Sequence, residues 1–223
     1  MQRQLRQLRN GPYMMYLFLG LQILMYLVLT LFGGSQNGNV LVFFGAKVNS
    51  LIQQGEWWRL ITPIFLHSGL THIAVNSITL YFIGLQIESL FGHWRFTVIY
   101  LLSGLAGNIA SFVFNTSISV GASTALFGLF GAFFMLMETF RQNTGIRAMG
   151  QQFGLFIFLN LAFDLFIPGI DLAGHVGGLL GGFLIANLVG VPNMHAVSNW
   201  RRIVAGIVFI AASGFFLYLG FTN

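Results

Sequence analysis

The chain contains no cysteine among its 223 residues, which excludes disulfides and thiolate metal sites and leaves the redox compartment open. Charge is nearly as scarce. Only 7% of residues are Asp, Glu, Lys or Arg, against 56% hydrophobic, and the mean hydropathy is +0.80. Soluble domains carry about 25% charged residues, so the composition excludes a soluble globule and assigns an integral membrane protein. The net charge of +5 could suggest a nucleic-acid partner. The basic residues, however, are scattered near expected helix ends, a pattern of topology signals rather than of a phosphate-binding face. The apolar runs do not alternate with polar residues, which excludes the strands of a membrane barrel. No linker, repeat or low-complexity segment interrupts the chain, so residues 1–223 read as one domain.

What is present is a series of seven apolar stretches: Tyr13–Phe32, His72–Leu90, Phe96–Phe114, Ser123–Phe140, Gln151–Phe166, Leu172–Val191 and Ile203–Phe221. Each approaches the ~20 residues that cross a bilayer as helix. The expected fold is therefore an all-α polytopic membrane protein with seven transmembrane helices. The first stretch follows Arg3, Arg6 and Arg9 like a signal peptide, but it is too long and lacks a small-residue cleavage site, so it reads as a retained anchor. With residues 1–12 in the cytoplasm, Arg3, Arg6, Arg9, Arg95, Arg141, Arg147, Arg201 and Arg202 lie inside, and only Lys47 and Arg59 lie outside. That bias fixes the orientation. Most connections are short. The exception, residues 33–71, contains Val40-Leu41-Val42-Phe43-Phe44 and the pair Trp57-Trp58, and it is read as an outer loop lying in the headgroup region.

The second, fourth and sixth stretches all start at the outer face, and those starts hold His72, Ser123 and His175. Polar groups in hydrocarbon are costly unless they have partners or work there, so three at one depth make a site hypothesis. A serine needs a base to become a nucleophile, and histidine is the usual one. Asp171, four residues before His175, could orient the base, but its place at a helix start suits N-capping, which leaves a Ser–His dyad. Acyl transfer also needs donors for an oxyanion. His72 and Asn76 share one helix face and, with the Ser123 N–H, could supply three. Phe127 would lie one turn beneath Ser123, able to stack on His175.

Small residues at four-residue spacing (Ser103, Gly107 and Ser111; Gly174, Gly178 and Gly182) together with Gly128 and Gly131 predict close helix packing. His67 and His72 raise a metal alternative, but their spacing is poor and no carboxylate cluster completes a shell, so no metal is expected. His93 and His195 fall in expected cytoplasmic loops and are read as solvated, and Asp164 as a snorkelling or structurally bonded acid. The soluble-hydrolase elbow Gly-x-Ser-x-Gly is not matched, because Ala125 holds its last position.

At these residues the chain resembles the rhomboid intramembrane serine proteases. The resemblance runs through Gly55-Glu56-Trp57-Trp58-Arg59-Leu60-Ile61-Thr62-Pro63, His72-Ile73-Ala74-Val75-Asn76, Glu88 and Phe91-Gly92 before Arg95, Gly107-Asn108, Gly121-Ala122-Ser123 and Ala173-Gly174-His175-Val176-Gly177-Gly178. It implies Ser123 as nucleophile, His175 as base, His72 and Asn76 as oxyanion donors, and Gly121, Phe127 and Gly174 in support. It also implies a six-helix core with one C-terminal helix (203–221) appended, a membrane-inserted first loop and no cofactor. Two departures stand out: Thr124 replaces the glycine usual after the serine, and Gly174 the commoner alanine before the histidine.

The expected function is cleavage of single-span transmembrane proteins near the outer leaflet of a bacterial plasma membrane. Substrates would carry helix-weakening residues and a small residue before the cut. The phenylalanine-rich fifth stretch (Phe153, Phe156, Phe158, Phe163) is either a movable side entrance or simply lipid-facing. Two rivals stand beside this reading: a catalytically silent rhomboid-like protein that binds membrane clients, and a channel or transporter, which would place charges or broken helices at mid-membrane. The sequence is silent on oligomeric state.

Overall fold

A computed structural model describes residues 11–164, 170–192 and 197–222, excepting the side chains at 156, 158, 160 and 162–164. The expectations for Arg3, Arg6, Arg9, Phe156, Phe158, Phe163, Asp164 and His195 therefore lie outside what is described. Among the described residues seven long helices follow one another: α1 (Tyr13–Leu31), α2 (Leu70–Phe91), α3 (His93–Phe114), α4 (Ser123–Thr139), α5 (Thr144–Asp164), α6 (Leu172–Val189) and α7 (Asn199–Thr222). Among the described residues there is no strand, only an isolated bridge between Lys47 and Ser119. Within the described residues five helices (α1, α2, α3, α6 and α7) are long and apolar enough to cross a membrane, and α4 is a shorter apolar helix of 17 residues.

Helices overlap all seven apolar stretches, but several begin earlier than hydropathy indicates. The clearest correction is α5, which starts at Thr144 rather than Gln151. Asn143 accepts the Ile146 N–H at 3.0 Å, a cap that starts the helix in polar sequence. Hydropathy reports the apolar part of a helix; backbone hydrogen bonding continues past it.

Helix α4 is the centre of the bundle, with twelve of its residues buried, whereas α1 buries four and α7 three. The peripheral helices turn large apolar side chains outward, among them Leu24, Leu27, Ile207 and Ile210. The expected small residues explain the tight centre. A Cβ on Gly182 would lie 2.0 Å from the Gly128 carbonyl, and one on Gly178 2.0 Å from that of Thr124, so α4 and α6 touch backbone to backbone. Helix α3 joins them where Gly107 faces the Gly174 carbonyl.

The two ends of the bundle differ in chemistry. At one end lie the start of α1, the end of α2 and the start of α3. The buried Glu88 carboxylate accepts the Met14 and Met15 N–H groups at 3.0 and 2.7 Å, a negative charge against the unpaired donors of a helix start. His93, expected to be solvated, instead heads α3, pairs with Glu88 at 2.5 Å and stacks on Tyr13. At the same end Arg95 and Arg202 donate to the Val189 carbonyl, Arg202 also to Leu188, and Arg201 pairs with Glu138. Arginines thus satisfy the orphan carbonyls that end α6.

The opposite end holds the long first loop, which is folded rather than open. It carries short helices Gly38–Phe43 and Asn49–Gln53 and two 3₁₀ turns, Trp57–Leu60 and Thr62–Phe65. Arg59 is buried and ties the loop together through Glu56 and the carbonyls of Val42 and Ala46, while Trp57 and Trp58 face outward. The Asn108 amide donates to the Leu60 carbonyl at 2.9 Å, fastening the loop to α3. Lys47, expected as an outer topology charge, is wholly buried.

Candidate active site

Local chain geometry places the serine. Gly121 has φ +128°, a backbone conformation that side chains rarely adopt, and its N–H donates to the Pro63 carbonyl at 2.9 Å. A Cβ at Gly121 would stand 2.7 Å from His72 Nε2 and 3.7 Å from Ser123 Oγ. Glycine therefore makes the turn and clears the space between the Ser123 hydroxyl and the His72 ring. The next N–H, of Ala122, donates to His67 Nε2 at 3.3 Å, and Ser123 opens α4. Because α4 has 17 residues it is about 25 Å long, against about 33 Å for the 22 residues of α2 and α3. Ser123, at the head of this shorter helix, lines a cavity.

A cavity of about 550 Å³ opens there, lined by Ser123, His175, His72, Asn76, Phe127 and Asp171 among others. His175 is buried, and its ring lies on Phe127 with centroids 4.3 Å apart and planes 15° from parallel. The Ser68 N–H points at His72 Nδ1 at 3.4 Å, so a neutral His72 carries its proton on Nε2, the nitrogen facing Gly121. Asn76 Nδ2 donates one hydrogen to the His72 carbonyl at 2.9 Å and has a second for another acceptor. Two side-chain donors and a helix start, with its orphan N–H groups, thus face one cavity with a hydroxyl and an imidazole. That is the donor set acyl transfer requires.

By residue type and spacing His67 stands out only as a metal ligand. The structure gives it a different role. It accepts the Ala122 N–H just before Ser123 and packs edge-on against the His72 ring, centroids 5.2 Å apart. Burial, then the neighbouring His72, holds its pKa down at about 3, so the ring stays neutral and able to accept. The five-residue spacing that is poor for one helical face suits this role, because His67 precedes α2 and approaches the site from the loop.

The two departures from the usual pattern fit each other. Thr124 is buried, and a Cβ on Gly174 would sit 3.0 Å from its Cγ2, while one on Gly107 would be 2.7 Å from its Cβ. Glycines at 107 and 174 open the volume that the threonine fills. Gly174→Ala is therefore expected to cost about 1–3 kcal/mol by overpacking, and Thr124→Gly to recover part of it. Thermal unfolding of the two single variants and the double in detergent checks this, and strictly additive effects would contradict it.

Packing also explains the fifth helix in part. Phe153 lies against Phe130 and Phe133 of α4, with centroids 5.8 and 5.0 Å away. That ring is a contact between helices rather than a lipid-facing one.

Comparison with known proteins agrees with this architecture. A family model described as the Rhomboid domain matches residues 54–192, more than half of the chain. The chain is 45% identical over 213 residues to the rhomboid protease GluP of Bacillus subtilis, covering 95% of the chain and 41% of that protein. It is 39% identical over 143 residues to the putative rhomboid protease YdcA of the same organism, covering 61% of the chain and 69% of YdcA. Rhomboid-like protease 1 of Toxoplasma gondii is 39% identical over 155 residues, 67% of the chain and 53% of that protein. The chain thus spans less than half of GluP and about half of the Toxoplasma relative. Over that span the matched region takes in His72, Ser123 and His175 alike, and the chain belongs to the rhomboid family.

Proposed function

We propose that this multi-pass membrane protein is an intramembrane serine endopeptidase working through a Ser123–His175 dyad. The observation that carries the reading is that Ser123, His175, His72 and Asn76, from three helices, line one cavity at one end of the bundle. His175 takes the proton from Ser123 Oγ as the oxygen attacks the scissile carbonyl carbon. The oxyanion accepts from His72 Nε2–H, an Asn76 N–H and the main-chain N–H at the start of α4. His175 then gives its proton to the leaving amine as the C–N bond breaks. A water, losing a proton to His175, attacks the acyl-enzyme and releases the new carboxyl terminus, and the proton returns to Ser123. No cofactor enters any step.

In this reading all seven long helices span the bilayer with the N-terminus in the cytoplasm. Its support is the clustering of Arg95, Arg141, Arg147, Arg201 and Arg202 at the end away from the cavity. The positive-inside bias then turns the cavity to the exterior of a bacterial plasma membrane, where water reaches it. Substrates are single-span proteins whose helices unwind near the outer leaflet, with a small residue before the cut to suit the crowding around Gly121 and Gly174. Thr124 is the one feature favouring a silent client-binding relative, and the space left by Gly107 and Gly174 weakens that case. A fluorophosphonate probe separates the two. The protease reading expects labelling of the intact protein, blocked by Ser123→Ala, together with two fragments from a transmembrane reporter. A protein that neither labels nor cleaves sinks it.

A further inference from the structure

A buried polar chain leads from the first loop to the turn that carries His175, and the mechanism above makes no use of it. Asp171 caps α6: its Oδ1 accepts the Gly174 N–H at 2.9 Å, and its carbonyl accepts the His175 N–H at 3.0 Å. Its Oδ2 accepts the hydroxyl of Ser119 at 2.7 Å and, in a very short contact, that of Ser111 at the end of α3. Ser119 belongs to the connection before α4, and its backbone exchanges two hydrogen bonds with Lys47, at 2.9 and 3.2 Å. The Lys47 side chain crosses the interior to donate from Nζ to the Asn115 and Ser117 carbonyls, at 2.5 and 3.0 Å.

A full charge from the first loop and one from the head of α6 thus clamp the same short connection, residues 115–119, from two sides. Neither residue is a surface charge. Lys47 is wholly buried, and Asp171 forms part of the cavity wall. Burial alone would push the Asp171 carboxyl up. The hydroxyls of Ser111 and Ser119, the Gly174 N–H and the Asn115 side chain outweigh it and leave the group below its ordinary value. Burial lowers the Lys47 ammonium to about 8, with the Asp171 charge opposing the fall. Both groups are therefore ionised at neutral pH. A buried charge without a partner is costly, so each is held in place by the other and by the dipoles between them.

We propose that Asp171 is a positioning residue for the base: through the Gly174 turn it fixes the ring of His175 over Phe127, and the buried Lys47 is its charge partner across the 115–119 connection. This rests on the protease reading and deepens it. The carboxylate acts on the imidazole through the backbone, so what it supplies is geometry. A small misplacement of a catalytic group is enough to cost on the order of 100-fold in rate. Lysine at 47 and serines at 111 and 119 then belong to the active site by function although they touch no substrate.

The test uses the full chain in detergent with a transmembrane reporter, each variant being assayed well below its own unfolding temperature. Asp171→Ala is expected to lower kcat about 10- to 100-fold with KM within about threefold, and to slow fluorophosphonate labelling of Ser123 in parallel. Asp171→Asn keeps an acceptor for the Gly174 N–H and recovers part of the rate. Lys47→Met is expected to lower kcat as Asp171→Asn does, and the double variant to be no slower than the worse single. Ser119→Ala, which leaves the cap intact, gives a smaller fall and covers the case in which Asp171→Ala fails to fold. A folded Asp171→Ala or Asp171→Asn with wild-type kcat and labelling rate overturns the proposal. So do strictly additive losses for Lys47→Met and Asp171→Asn. Failure of the wild type to cleave would reject the protease reading instead, so the two failures are distinguishable.

Discussion

Replacing Ser123 by alanine is expected to lower kcat/KM for a transmembrane reporter by about 10⁴- to 10⁶-fold, and His175→Ala by a comparable factor. The informative number is the double variant. Adding His175→Ala to Ser123→Ala should cost less than about threefold further, because a base without a nucleophile has nothing to deprotonate. His72→Ala and Asn76→Ala act on a different quantity, the charge on the oxyanion. Each should cost about 10²- to 10³-fold while Ser123 and His175 remain. Measurement of kcat/KM for the singles and the double checks the reading. Independent, multiplying losses at 123 and 175 would mean that the two groups do not work as a unit, despite sharing one cavity.

The largest structural effect is expected where α4 crosses α6. A methyl group at Gly182 would meet the Gly128 carbonyl oxygen at 2.0 Å, with the Gly128 Cα at 2.4 Å, and one at Gly178 would meet the Thr124 carbonyl at 2.0 Å. Ordinary contact begins near 3.4 Å, and the obstacles are backbone rather than side-chain tips that could swing aside. The helices must therefore separate by more than an ångström. Gly182→Ala and Gly178→Ala are each expected to destabilise by at least about 3 kcal/mol, the upper end of ordinary overpacking. Gly178→Ala should also abolish cleavage, because it displaces the turn that holds Ser123. Gly214 of α7 is the control. Nothing lies within 4 Å of its methyl position, so Gly214→Ala should leave stability unchanged or raise it by up to about 1 kcal/mol, as alanine favours helix. Denaturant titration in mixed micelles measures all three. Equal stability of Gly182→Ala and Gly214→Ala would show that the two backbones do not meet.

The residues legible in advance are those whose chemistry conflicts with hydrocarbon. A serine and two histidines near the starts of three apolar runs stand out because burial of polar groups needs a reason. The small-residue spacing of α3 and α6 is legible too, since such spacing has one dominant physical use in lipid. His93 is misplaced by hydropathy, which ends a helix where apolar residues end, whereas His93 is the first residue of α3 and answers the buried Glu88. The start of α5 is misplaced for the same reason: a capped turn in polar sequence carries no apolar signal. His67 and Lys47 are invisible for a different reason. Their partners are the Ala122 N–H and the carbonyls of Asn115 and Ser117, 55 to 70 residues away in the chain. Main-chain groups are present at every position, so no residue type announces them.

The order and length of apolar runs, the arginine bias between their ends and the chemistry at three helix starts were set by the sequence alone, because each depends on residue type and local spacing. Tertiary structure alone decided which helix became the centre and that the α4 start lines a cavity with His72 and His175. It also decided that Thr124 fills the space left by two glycines, and that a loop lysine and a capping aspartate meet across one connection. Those outcomes rest on volumes and backbone hydrogen bonds shared between segments far apart in the chain, and they exist only once the helices have packed.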